Sequence, residues 1–151
     1  MTQSMTRMRT ERLTLRLLAP QDSEPMERLV SDKEVADTTL GIPHPYPAGS
    51  SAGFIQGRME AAERGEGYSF AVIRSEDMCF LGVVGLHLQL RHHTAEMGYW
   101  IGRLYWGSGY CTEAAERILQ FAFEELALNR VYAAAMTRNP GSYKVMEKLG
   151  M

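Results

Sequence analysis

Residues 98–126, GYWIGRLYWGSGYCTEAAERILQFAFEEL, pass from an aromatic, strand-like segment through Gly107 and Gly109 straight into a long amphipathic pattern. Glycine lacks Cβ, so the backbone there can bend sharply and a ligand can come close to its amides. The residues that follow open a helix, whose first four N–H groups have no partner inside the helix. Strand, glycine turn and helix N-terminus together suit an anion, with phosphate or diphosphate the natural guest and the helix dipole adding to the attraction. An isolated pair of glycines in this spacing is more often a plain tight turn, since short glycine motifs are weak signals. Two phosphate-binding patterns are excluded. Thr112 stands where a dinucleotide fingerprint needs its third glycine, and no GK[ST] follows as a Walker loop requires.

Upstream, the apolar period is two rather than 3.6. YSFAVIR (residues 68–74), CFLGVVGLHLQL (79–90) and TAEMGYWIG (94–102) read as three strands joined by short turns, an antiparallel meander, with glycines in the second marking a bulge. ERLTLRLLA (11–19) alternates Leu13, Leu15 and Leu17 with polar residues and reads as a strand. Asp22 or Ser23 caps a short helix after it. Residues 41–50 carry three prolines and form a loop. A second helix follows, with Phe54, Ile55, Met59 and Ala62 at helical spacing and Gly65 and Gly67 at its end. After the glycine turn, a helix from about Cys111 to Leu128 places Ala114, Ala115, Ile118, Leu119, Ala122, Phe123 and Leu126 on its apolar side. RVYAAAM (130–136) is a strand. Asn139 as N-cap, Pro140 and Gly150 bound a last helix. The expected order is β-α-α-β-β-β-α-β-α, a mixed α/β domain spanning residues 1–151, with a mostly antiparallel twisted sheet flanked by helices.

The chain's 151 residues suffice for one domain with a sizeable core. A net charge of −2 gives no basic excess to drive nucleic-acid binding. No apolar run reaches the roughly 20 residues of a membrane span, and the N-terminal segment has no apolar h-region. Cys79 and Cys111, without a CxxC pattern, read as reduced thiols of a cytoplasmic protein. His87, His92, His93 and Cys79 fit no standard zinc spacing, so no metal is expected.

GYWIGRLYWGSGYCTEA followed by NRVYAAAMTRNPGSYKVMEKLG resembles the GNAT superfamily of N-acetyltransferases, and with RTERLTLRLLAPQDSEPMERLVSDKEV the likeness extends to the branch containing the ribosomal-protein N-terminal acetyltransferases. It covers essentially the whole chain in order. The resemblance implies acetyl-CoA as acetyl donor and a primary amine as acceptor, either a protein N-terminus or a small-molecule amine, and it allows a homodimer. It assigns the diphosphate cradle to Tyr105, Trp106, Gly107, Ser108, Gly109 and Tyr110, with Cys111 and Thr112 beside them. Leu104 stands where the superfamily often has Gln or Arg, so the main-chain amides carry this site. The pantetheine arm is implied to lie along Met97, Gly98, Tyr99, Trp100 and Ile101, with N–H groups near Met97 and Gly98 as oxyanion donors.

Direct acetyl transfer needs a base for the ammonium, donors for the oxyanion and a proton for the leaving thiolate. Glu96 is the candidate base; a glutamate on an exposed strand face is the plain alternative. By resemblance, Asn139 contacts the pantetheine arm and Ser142 serves the coenzyme sulfur. Met146 occupies the position of the acidic tyrosine used elsewhere in the superfamily. Tyr46 and Phe54 are implied to border the acceptor pocket. A non-catalytic acyl-CoA-binding module is the competing reading, one that would keep the cradle without needing base or acid. Family members continue past the KLG motif with two more strands, so the resemblance implies a truncated sequence or a sheet completed by another chain.

Overall fold

The computed structural model describes residues 7–30, 50–89, 93–102, 105, 108–126, 128 and 130–133. Six strands form one sheet in sequential order: β1 (Arg7–Arg9), β2 (Leu13–Leu17), β3 (Gly67–Arg74), β4 (Cys79–Gln89), β5 (Thr94–Ile101) and β6 (Arg130–Ala133). Neighbours are antiparallel from β1 to β5. β6 runs parallel to β5. A parallel neighbour needs a crossover, and α3 (Tyr110–Glu124) supplies it. A 3-10 turn (Pro20–Asp22) leads into α1 (Ser23–Val30), and α2 (Ser50–Glu63) precedes β3. The mixed α/β sheet expected from the sequence is observed. The short edge strand β1 was not expected, because three residues carry no readable period. The last helix expected lies outside the described residues.

The sheet is apolar on both faces. Under α3, Leu13, Leu15, Phe70, Val72, Val84 and Met97 pack against Ala114, Ala115, Ile118, Phe121 and Ala122. Phe121 meets Tyr68 and Phe70 edge-on, at centroid separations of 5.8 and 5.5 Å. The helix buries Phe121 and exposes Phe123, the reverse of what the sequence suggested for Phe123. From Ile118 a step of four reaches Ala122, whereas a step of five turns Phe123 about 140° away. On the other face, Leu18, Ala71, Ile73, Phe80, Val83 and Trp100 pack with Met26 of α1 and Ile55 of α2.

The expected bulge in β4 is present. Val72 pairs Gly82 but Ile73 pairs Phe80, so Leu81 is the extra residue. Gly82 is required beside it: a Cβ there would come within 2.2 Å of the Trp100 carbonyl oxygen. Helix α2 ends where Gly65 takes φ +72. At the start of α1, Asp22 accepts from both terminal nitrogens of Arg16 at 2.8 Å and from the Ala19 N–H at 2.8 Å, tying β2 to the helix.

Candidate active site

Strand alternation sorts β5 between the faces. Ala95, Met97 and Ile101 point into the α3 core, so Glu96, Gly98 and Trp100 face the side of α1 and α2. Trp100 is buried there against Phe80, while Glu96 is exposed. Cross-strand pairing sets Ser69, Gly85 and Gly98 in one row and His87 opposite Glu96 in the next. The central row is a step almost free of side chains. A Cβ on Gly98 would meet nothing within 4 Å. Beside it, Leu17, Leu18, Arg58, Met59, Ala62, Glu63 and Ser69 line a cavity of about 230 Å³ between α2 and the sheet. Phe54 is not part of that lining; its ring lies 5.0 Å under the Arg58 guanidinium. Tyr46 lies outside the described residues.

β5 pairs with β4 up to Ile101 opposite Gly82, whereas the described pairing with β6 ends at Met97 opposite Ala133. Tyr99 is half-buried against the α3 core. Past β5, Gly102 packs against Leu29 and Tyr105, and the Tyr105 hydroxyl lies 3.3 Å from the Cys79 sulfur. Trp106 and Gly107 fall outside the described residues. Ser108 is exposed, and Gly109 is the N-cap of α3 with φ 80, a left-handed conformation that glycine adopts freely. The cap has no side-chain hydrogen bond. Intrahelical bonding starts with the Glu113 N–H on the Gly109 carbonyl at 3.0 Å, so the N–H groups of Tyr110, Cys111 and Thr112 precede the first helical bond. Burial pushes the Cys111 thiol up to about 12, which keeps it protonated and inert. Asn139 and Ser142 lie outside the described residues.

A clamp at this helix start was not read from the sequence. The Glu113 carboxylate accepts from the Arg12 N–H at 2.9 Å, from Arg12 Nε at 2.7 Å and from the Thr10 hydroxyl. Arg12 Nη1 donates to the Ser108 carbonyl at 3.0 Å, and its guanidinium lies 4.3 Å from the centre of the Tyr110 ring. Partial burial works to raise the Glu113 pKa, but these hydrogen bonds outweigh it and hold the carboxyl below its ordinary value. A signal sufficient to find this clamp was absent from the sequence, because Arg12 and Glu113 are 101 residues apart. His87 was considered there only as a metal ligand, and among the described residues no group of three or more His, Cys, Asp or Glu side chains could hold a metal ion.

Comparison with known proteins places the fold and the family. Residues 12–151 match the acetyltransferase (GNAT) domain family. The uncharacterized N-acetyltransferase p20 of Bacillus licheniformis is 30% identical over 141 residues, covering 93% of this chain and 79% of that protein. YdaF of Bacillus subtilis (strain 168), provisionally named a ribosomal N-acetyltransferase, is 31% identical over 145 residues, covering 93% and 78%. A GNAT-family acetyltransferase from Bacillus anthracis superposes with a TM-score of 0.83 at 30% identity, covering 97% of this chain and 83% of that one. The chain belongs to the GNAT acetyltransferase family. It is an acetyl-CoA-dependent N-acetyltransferase. Among the described residues no helix is long and apolar enough to cross a membrane.

Proposed function

We propose that the chain acetylates the α-amine of a protein N-terminus over the Gly85–Gly98 step, with Glu96 as the base. The carrying observation is the juxtaposition on one sheet face of an open backbone step at Gly98 and a carboxylate two residues along the same strand. The step gives room for a thioester and an incoming amine, and the cavity running to α2 through Ser69 gives room for the acceptor chain. Glu63 and Arg58 at that cavity supply charges of both signs. The left-handed Gly109 and the first-turn amides of α3 fit a diphosphate, as a side-chain-free cradle should.

Glu96 takes a proton from the ammonium. The freed nitrogen attacks the acetyl carbonyl, the C–N bond forms, the C–S bond breaks, and the second proton shed by the nitrogen protonates the leaving thiolate. Main-chain N–H groups near Met97 and Gly98 receive the transient oxyanion. By the family resemblance, Asn139 contacts the pantetheine arm and Ser142 serves the sulfur. A base on an open face suits an ammonium that loses its proton near neutrality: an α-amine titrates at about 7.7–8.0, a lysine at about 10.4. The name borne by YdaF supports a protein acceptor. The two thiols Cys79 and Cys111 are both free, in keeping with a cytoplasmic setting.

Thiol release from acetyl-CoA is to be followed with peptides beginning in Ser or Ala, with the same peptides carrying only a lysine amine, and with polyamines. The α-amine peptides should be turned over best, and Glu96→Gln should lower kcat about 10²–10⁴-fold while coenzyme binding persists. Preference for polyamines removes the proposed acceptor, and an unchanged kcat in Glu96→Gln removes the proposed base.

A further inference from the structure

We infer that Arg12 and Glu113 form a positioning device for the diphosphate loop, by which the β1–β2 turn controls how tightly the nucleotide end of the donor is held. The inference rests on the loop between Tyr105 and Thr112 being the diphosphate site.

Two effects converge on the same pair. The first is geometric. Arg12 Nη1 draws the Ser108 carbonyl toward itself at 3.0 Å. In a planar trans peptide the C=O and N–H point to opposite sides, so this bond turns the Gly109 N–H away from Arg12. The missing Cβ of Gly109 would lie 3.5 Å from Arg12 Nη2. The guanidinium thus backs the loop from behind, and the Gly109 amide is presented on the free side. The Tyr110 ring beneath the guanidinium is held by the same side chain.

The second effect is electrostatic. Glu113 places a carboxylate in the first turn of α3, where a diphosphate would be repelled by it. Arg12 neutralises that charge with Nε at 2.7 Å and its own N–H at 2.9 Å on the two carboxylate oxygens. The Thr10 hydroxyl, which also accepts from the Leu13 N–H at 3.0 Å, completes the shell around Glu113. Arg12 therefore does two things at once: it orients a loop amide, and it silences an anion that would compete with the ligand. Glu113 in turn holds the guanidinium in place.

The pair touches no reacting atom, so its signature lies in binding that involves the diphosphate and not in binding at large. Titration calorimetry with coenzyme A and with pantetheine, which lacks the diphosphate and the 3′-phosphoadenosine beyond it, compares binding with and without the nucleotide end. Wild-type protein should bind coenzyme A more tightly. Arg12→Gln should weaken coenzyme A about tenfold, the loss of roughly one charge-assisted hydrogen bond, and so shrink the ratio of the two dissociation constants. Glu113→Gln should shrink it less, because no bare carboxylate remains, and the double variant Arg12→Gln/Glu113→Gln should recover part of the Arg12→Gln loss. Should Arg12→Gln fail to fold, Arg12→Lys, which keeps the charge without the planar fork, is expected to lower the same ratio. An Arg12 variant that keeps the wild-type ratio overturns the positioning role and leaves the loop assignment standing. A wild-type protein that binds both compounds equally removes the diphosphate loop itself, and the positioning role with it.

Discussion

Glu113 is the residue through which the clamp at the start of α3 responds to pH. Its carboxyl is held below the ordinary value by Thr10 and Arg12 despite partial burial. A depressed folded-state pKa means that the unfolded chain binds the proton more readily. The clamp's contribution to stability is therefore fully present above the unfolded value of about 4.3 and is lost as pH falls through the folded value. Melting curves from about pH 6 down to about pH 3 should show Tm falling more steeply in wild-type protein than in Glu113→Gln, which has no such proton to take up. Parallel curves would mean that the carboxylate is not the group that counts. Neither Arg12 nor Glu113 was legible as a pair, because sequence periodicity reports faces within an element and not contacts between distant ones. Gly109 was legible, since its place at a helix start after a strand already demanded a glycine-like conformation, and φ 80 is what that place required.

At the scale of elements, the meander was readable because short apolar, β-branched-rich segments are separated by short polar turns. The turn before β4 contains Met78 at φ 58, a conformation no sequence signal announced. The boundary of α3 moved from the expected Cys111–Leu128 to Tyr110–Glu124, since the helix closes on Gly109 and ends where Glu125 and Leu126 both bond back to the Phe121 carbonyl. Asp22 illustrates what was half legible. It was expected as a cap, and it does accept the Ala19 N–H, but its larger role is the paired contact with Arg16 across from β2. The Asp22 side chain is 3% exposed and that of Arg16 18%, so the pair is nearly dry. Removing one partner leaves the other charge uncompensated, a change that costs about 3–5 kcal/mol in buried pairs. Asp22→Ala should lower Tm by roughly 10 °C, as measured by calorimetry. Replacing both partners by apolar residues should recover much of the loss, because a buried pair is no more stabilising than good packing. A Tm within a degree or so of wild type in Asp22→Ala would show the pair to be hydrated.

Across the described residues, two cores share one sheet. Phe70 faces α3 while Ala71 faces α2, Val84 and Val83 divide in the same way, and so do Ile101 and Trp100. Neither core can open without exposing strands that hold up the other. The step at Gly98, proposed for the acceptor, and the loop at Gly109, proposed for the donor, are therefore mounted on a single unit, and one should not be lost before the other. Trp100 and Cys111 report on the two sides. Trp100 is buried under the α1–α2 face, and the Cys111 thiol, pushed up to about 12, packs against the α3 core. A chain carrying Trp106→Phe and Cys79→Ser leaves each as the sole reporter of its kind. In urea, the fluorescence of Trp100 and the alkylation of Cys111 should change at the same midpoint with the same slope, as a single cooperative transition requires. Alkylation of Cys111 at urea concentrations where Trp100 is still native would show that α3 and the glycine turn before it detach from the sheet as a separate unit. The proposed donor site would then melt while the proposed acceptor face stayed folded, and the shared strands would not be what couples the two.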